Sequence, residues 1–158
     1  MNVTQIAHVT SNESCDITTE ANKLTGLSDS LMDAIGAFSI EESNSLIVNK
    51  AKSAHMIFVG KIQAHLHGTA KTDPSTLPDH HGCNFGKWYD NMGTKHCGHL
   101  QIFKDIVQPH ARVHELGKAA IMAHNAGDRV KAATLSEEMV QNSTALLDIL
   151  EELEMKCA

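Results

Sequence analysis

HLQIFKDIVQPHARVHELGKAAIMAHN, residues 99–125, is the stretch whose reading decides the fold. Its apolar residues Ile102, Phe103, Ile106, Val107, Val113 and Ile121 recur at the spacing of one helical face, and that face also carries His110 and His114. Residues four apart lie one above the other on a helix, so the two imidazoles project side by side. The pattern predicts a long helix over roughly 99–125, with Ala126 and Gly127 making the next turn. Pro109 is expected to kink or start a helical segment just before His110.

Working outward, the segment Ser39-Ile40-Glu41-Glu42 has the form of a capping box and predicts a helix start. That helix should run to about His67, where Gly68 stops it, and bury Val48, Ala51, His55, Phe58 or Val59, Ile62 and Leu66. Pro74 and Pro78 fall in GTAKTDPSTLPDHHG, residues 68–82, which reads as loop. A short helical turn is expected from Gly82 to about Met92, with Cys83, Phe85 and Trp88. The last helix, from about Asp128 to Met155, includes the periodic run ALLDILEEL at 145–153. Near the N-terminus, Ile17, Ala21, Leu24, Leu31, Ile35 and Phe38 alternate by four and three, with Ser28 in the remaining seam position. This is either a coiled-coil seam or one amphipathic helix lying on its own bundle. Nothing reads as a strand. The expected fold is all-α: a four-helix bundle over 39–158 preceded by a coiled-coil helical extension over 1–38.

The chain has 158 residues, long enough for one domain with a core and short for two. Lys+Arg 13 against Asp+Glu 19 gives a net charge of -6. With no basic stripe interleaved with aromatics, this argues against a nucleic-acid partner. No apolar stretch reaches the roughly 18 to 20 residues of a membrane span, and MNVTQIAHVT lacks the regions of a secretory signal. A soluble, cytoplasmic chain is expected. Cys15, Cys83, Cys97 and Cys157 include no CxxC pair and suggest no disulfide framework; Cys15, Cys97 and Cys157 read as incidental thiols. The 11 histidines are the more informative residues. His65, His67, His80, His81, His96 and His99 lie near loops and helix ends, where solvated surface histidines are expected.

His110 and His114 alone make a weak metal signal, and Ala111 stands where the zinc protease motif needs its general-base Glu. His55 strengthens the signal, because an imidazole at an inward position between Ala51 and Val59 requires a partner. Cys83 adds to it, in a sharp turn flanked by Gly82 and Gly86. Three imidazole nitrogens and one thiolate make a closed tetrahedral set that suits zinc and leaves no open position for substrate. The expected role is therefore sensory or structural, without catalysis.

His55, the run Cys83-Asn84-Phe85-Gly86-Lys87-Trp88, and His110-Ala111-Arg112-Val113-His114 resemble the chemoreceptor zinc-binding domain, CZB, of bacterial chemoreceptors and diguanylate cyclases. Residues 6–38 look like the C-terminal end of the signalling helix of methyl-accepting chemoreceptors. The resemblance implies zinc held by His55, Cys83, His110 and His114, with Phe85, Gly86 and Trp88 supporting the site. It implies a sensor in chemotaxis or cyclic-di-GMP signalling that responds to zinc level, or to oxidation of Cys83 by an oxidant such as hypochlorous acid. It also implies a homodimer whose N-terminal helix addresses an output domain or the chemotaxis kinase machinery.

Two other classes remain open at this point. A hemerythrin-like or di-metal carboxylate bundle would need inward Glu or Asp ligands, whereas Glu115 points about 100 degrees away from His114. A coiled-coil interaction module without an ion is the other.

Overall fold

The computed structural model describes Leu27, which is helical and exposed, and residues 44–157. The expected N-terminal coiled coil, the capping box at Ser39–Glu42 and Cys15 lie outside the described residues. Among those described there is helix and turn and no strand. We number the elements α1 (Asn44–Leu66), a 3-10 turn (Pro74–Thr76), α2 (Asn84–Trp88), a π turn (Tyr89–Gly93), α3 (Thr94–Cys97), α4 (Gln101–Asp105), α5 (Val107–Asn125) and α6 (Arg129–Lys156). The fold is a helical bundle, as the periodicity implied: α1, α5 and α6 are three long members, and the broken run from α2 to α4 makes the fourth.

α6 is the spine. Met139, Ser143, Leu146, Leu150 and Leu153 are buried along it at alternating four- and three-residue steps, so one continuous seam faces the neighbouring helices. Asp128 caps its start, the side chain accepting from Lys131 N at 3.0 Å. α1 contributes Val48, Ala51, Phe58 and Ile62 to the core, and α5 contributes Val113, Leu116, Ala120 and Ile121. Of the two residues that could have filled the α1 stripe, Phe58 is the buried one. Gly117 lets α5 approach both partners: a Cβ there would lie 2.8 Å from a Phe58 ring carbon and 3.1 Å from the Met139 sulfur. α1 is closed off just past Leu66 by Gly68, whose φ of 76° suits glycine, with Gly68 N bonded to His65 O at 3.0 Å.

The expected continuous helix over 99–125 is instead two, separated at Ile106. Pro109 has no N–H to offer the carbonyl of Asp105, so the ladder breaks there and restarts with His110 N bonded to Ile106 O at 3.0 Å. Between α2 and α3 the chain widens into one π turn, over which Tyr89 stacks on Phe103 with ring centroids 4.0 Å apart.

Two further expectations fail. Cys97 and Cys157 are not incidental: both are buried and their sulfurs are bonded, with Cα atoms 5.8 Å apart and a sequence separation of 60. Tertiary packing alone brings together an α3 residue and the residue that follows α6. His65 is not solvated either. It is buried, with Nε2 3.0 Å from Asn125 Oδ1 and Nδ1 accepting from Thr72 N at 3.0 Å, and so ties the end of α1 to the end of α5 and to the loop.

At the other end of α1, Glu154 of α6 accepts from Ser45 Oγ and Asn49 Nδ2, each at 2.6 Å, and from Lys52 Nζ at 2.8 Å. Asn44 Nδ2 donates to the carbonyl of Cys157 at 3.0 Å. The first turns of α1 therefore rest on the last turn of α6.

Leu146 sits in the middle of the α6 seam with no exposed surface. Leu146→Ala is expected to lower unfolding free energy by about 3 kcal/mol, measured by denaturant titration at fixed metal content.

Candidate metal centre

Three elements deliver four side chains to one place. His55 projects from the buried face of α1, four residues after Ala51. His110 and His114 project from α5 one turn apart, the first placed just after the break at Pro109. Cys83 arrives from the loop as the N-cap of α2. One ligand atom from each lies within 4.8 Å of every other, an arrangement able to hold a metal ion. Cys83 Sγ is 3.4 Å from His110 Nε2. The three imidazoles are nearly fully enclosed, at 3%, 3% and 5% exposure for His55, His110 and His114.

The orientation of two rings is set by backbone. His55 Nδ1 donates to the Ala51 carbonyl at 2.7 Å, and His114 Nδ1 donates to the Pro78 carbonyl at 2.9 Å. Each contact places the proton on Nδ1 and leaves Nε2 with a free lone pair. Both Nε2 atoms are buried without a hydrogen-bond partner. A desolvated acceptor left unmatched costs on the order of 1–3 kcal/mol, so two of them in one cluster fit a cation better than an empty polar core. The donor set of three nitrogens and one sulfur fits zinc, whose tetrahedral sites take these ligands. The cluster contains no Asp or Glu, among the described residues, of the kind a di-metal carboxylate site uses.

Electrostatics favour the same form of the ligands. Burial pushes the His110 imidazole from its ordinary 6.5 down to about 2, helped by the neighbouring His55 and His114. Burial also lowers His114 to about 4, with the Pro78 hydrogen bond opposing. His55 is lowered by burial, opposed by its bond to Ala51. All three are neutral, metal-ready bases at neutral pH. Burial raises the Cys83 thiol, against the amide N–H groups of Gly86 and Phe85, which favour the thiolate. Its sulfur accepts from Gly86 N at 3.2 Å and lies 3.7 Å from the His80 carbonyl.

Phe85 is buried against the cluster, its ring centroid 5.3 Å from His110 and 6.1 Å from His55. Trp88 is half-buried one step further out, 5.6 Å from Phe85 and 6.1 Å from Phe103. Gly86 is required by space. A Cβ there would collide with the His80 carbonyl oxygen and lie 2.9 Å from the Cα of His81. A small cleft lined by His80, Tyr89, Ile106 and Val107 also takes in His110. Two contributors escaped sequence reasoning, the carbonyls of Ala51 and Pro78. Every residue has a carbonyl, so no sequence signal could have found them.

Residues 55–121 match the family model of the chemoreceptor zinc-binding domain, CZB. The matched span begins at His55 and takes in Cys83, His110 and His114. CZB domains bind zinc and act as sensory modules, known in chemoreceptor-type signalling proteins. Compared with curated proteins and with solved structures, the chain gave no match. Among the described residues no helix is long and apolar enough to cross a membrane.

Two outcomes are expected of the cluster. In the metal-free protein the unfolded chain takes up protons below the ordinary histidine value of 6.5, while folded His114 waits until about 4 and His110 until about 2. Stability is therefore retained above 6.5 and lost progressively below it. The denaturation midpoint of metal-free protein should fall between pH 7 and pH 5, with a shallower slope in His110→Gln. Gly86→Ala should disrupt the Cys83 turn and cost about 2 kcal/mol or more of stability, measured by thermal melts, along with loss of bound metal.

Proposed function

We propose that the protein is a zinc-dependent sensory domain in which His55, Cys83, His110 and His114 hold one zinc ion and Cys83 is the responsive ligand. The carrying observation is the pair of buried, partnerless Nε2 atoms on His55 and His114, facing a thiol and a third imidazole. Zinc, when bound, supplies the positive charge that keeps Cys83 as thiolate and makes the four ligands one cross-link. His55 then ties α1, Cys83 the start of α2, and His110 and His114 α5.

Cys83 does two things at once, since its sulfur is both a ligand and the cap of α2. Attack of the thiolate on hypochlorous acid expels chloride and leaves a sulfenic acid, which is a poorer ligand and a poorer acceptor for Gly86 N–H. Removal of that ligand loosens α2 and the contact of α1 with α5. Phe85 and Gly86 act as support, the first shielding the imidazoles and the second letting the His80 backbone close over the turn; Trp88 holds Phe85 from behind.

Residues 1–38 are proposed as a coiled-coil arm and 39–158 as the zinc-binding bundle, in a homodimeric cytoplasmic protein. On this reading the arm passes the state of the cluster to an output domain or to chemotaxis kinase machinery, with cyclic-di-GMP synthesis the other candidate output. The proposed stimulus is zinc level or an oxidant acting at Cys83.

Elemental analysis tests the ligand set. Purified protein should carry one zinc per chain, and Cys83→Ala and His114→Ala should each lose most of it. Full stoichiometric zinc in both variants would sink the assignment.

A further inference from the structure

Cys97 and Cys157 lie outside the metal cluster and take no part in the reading above. Cys97 is the last residue of α3 and has no exposed surface; Cys157 follows α6 and is 7% exposed. Their Cα atoms, 5.8 Å apart, are at the separation a disulfide spans without backbone movement. Glu154, one turn before Cys157, holds Ser45, Asn49 and Lys52 of α1, and the carbonyl of Cys157 itself accepts from Asn44. Whatever fixes the end of α6 therefore also fixes the start of α1, where the chain arrives from residues 1–43.

We propose that Cys97 and Cys157 are a second thiol–disulfide site, separate from Cys83, whose oxidation by a small disulfide staples the end of α6 and the first turns of α1 to α3. In a reducing compartment such a pair rests as two thiols and a disulfide there is a signal. Helix ends open locally more readily than helix middles, so Cys157 is the sulfur that meets the oxidant. Its thiolate attacks one sulfur of glutathione disulfide and expels glutathione thiolate, which takes up the proton that Cys157 lost. Cys97 thiolate then attacks the Cys157 sulfur of the mixed disulfide, and the second glutathione leaves with the proton from Cys97. Two protein thiols are oxidised and one glutathione disulfide is reduced to two glutathiones. The staple closes a loop of 60 residues, and the chain-entropy gain of such a loop corresponds to a rise in melting temperature of about 10 °C.

The test uses the full chain carrying Cys15→Ser, exposed to glutathione disulfide or to dithiothreitol. Oxidation should give a peptide linked through Cys97 and Cys157, the rise in melting temperature, slower amide exchange over residues 44–52, and unchanged zinc content. Cys97→Ser should abolish the linked peptide and the rise; should that variant fold poorly, Cys157→Ser, at the more exposed end, decides. Absence of the linked peptide, a rise that persists in either variant, or unaltered exchange over 44–52 would overturn the proposal. Absence of zinc from the unsubstituted protein would instead overturn the metal reading, and these readouts, none of which needs the ion, would still decide this one.

Discussion

Two imidazole nitrogens are shut away from water with nothing to bond to, and the centre of the molecule is organised around that constraint. Desolvation holds His55, His110 and His114 neutral, and the same burial would make them costly in a core without a cation. Hydrophobic packing sets the condition up. The α6 seam draws α1 and α5 against one spine, and Gly117 lets them come close enough for histidines on facing sides to share one point. Polar cluster and apolar core are thus one arrangement seen from two sides.

Cys83 joins that arrangement from a different kind of element. It sits at a helix start, where amide N–H groups point at its sulfur, and its turn closes only because residue 86 has no side chain. The Cys83 side chain is held at a cap, whereas the three imidazoles project from the long helices α1 and α5. The CZB match over residues 55–121 spans all four positions, while the spine α6 and the first turns of α1 lie beyond it. The matched span therefore includes the cluster and omits much of the scaffold that supports it.

Much of this was legible in the sequence, and for definite reasons. Helical periodicity placed His55, His110 and His114 on inward faces, because a period of three to four residues ties burial to spacing. The glycines around Cys83 marked a close turn. The break at Ile106 followed from Pro109 only in part, since proline announces a lost hydrogen bond without saying whether the helix bends or splits. His65 looked solvated from its place near a helix end, and only the packing of Asn125 and Thr72 around it makes it internal. Cys97 and Cys157 were invisible as a pair because they stand 60 positions apart and neither lies in a local motif.

The acceptors that aim His55 and His114 are main-chain oxygens of residues 51 and 78. In many metal sites that office falls to a carboxylate, and a single substitution there can misdirect the ring. Here the choice of tautomer is a property of the path of the polypeptide. The side chain at position 78 is exposed and can change without touching that bond, whereas position 51 lies in the core and takes only a side chain small enough to fit there.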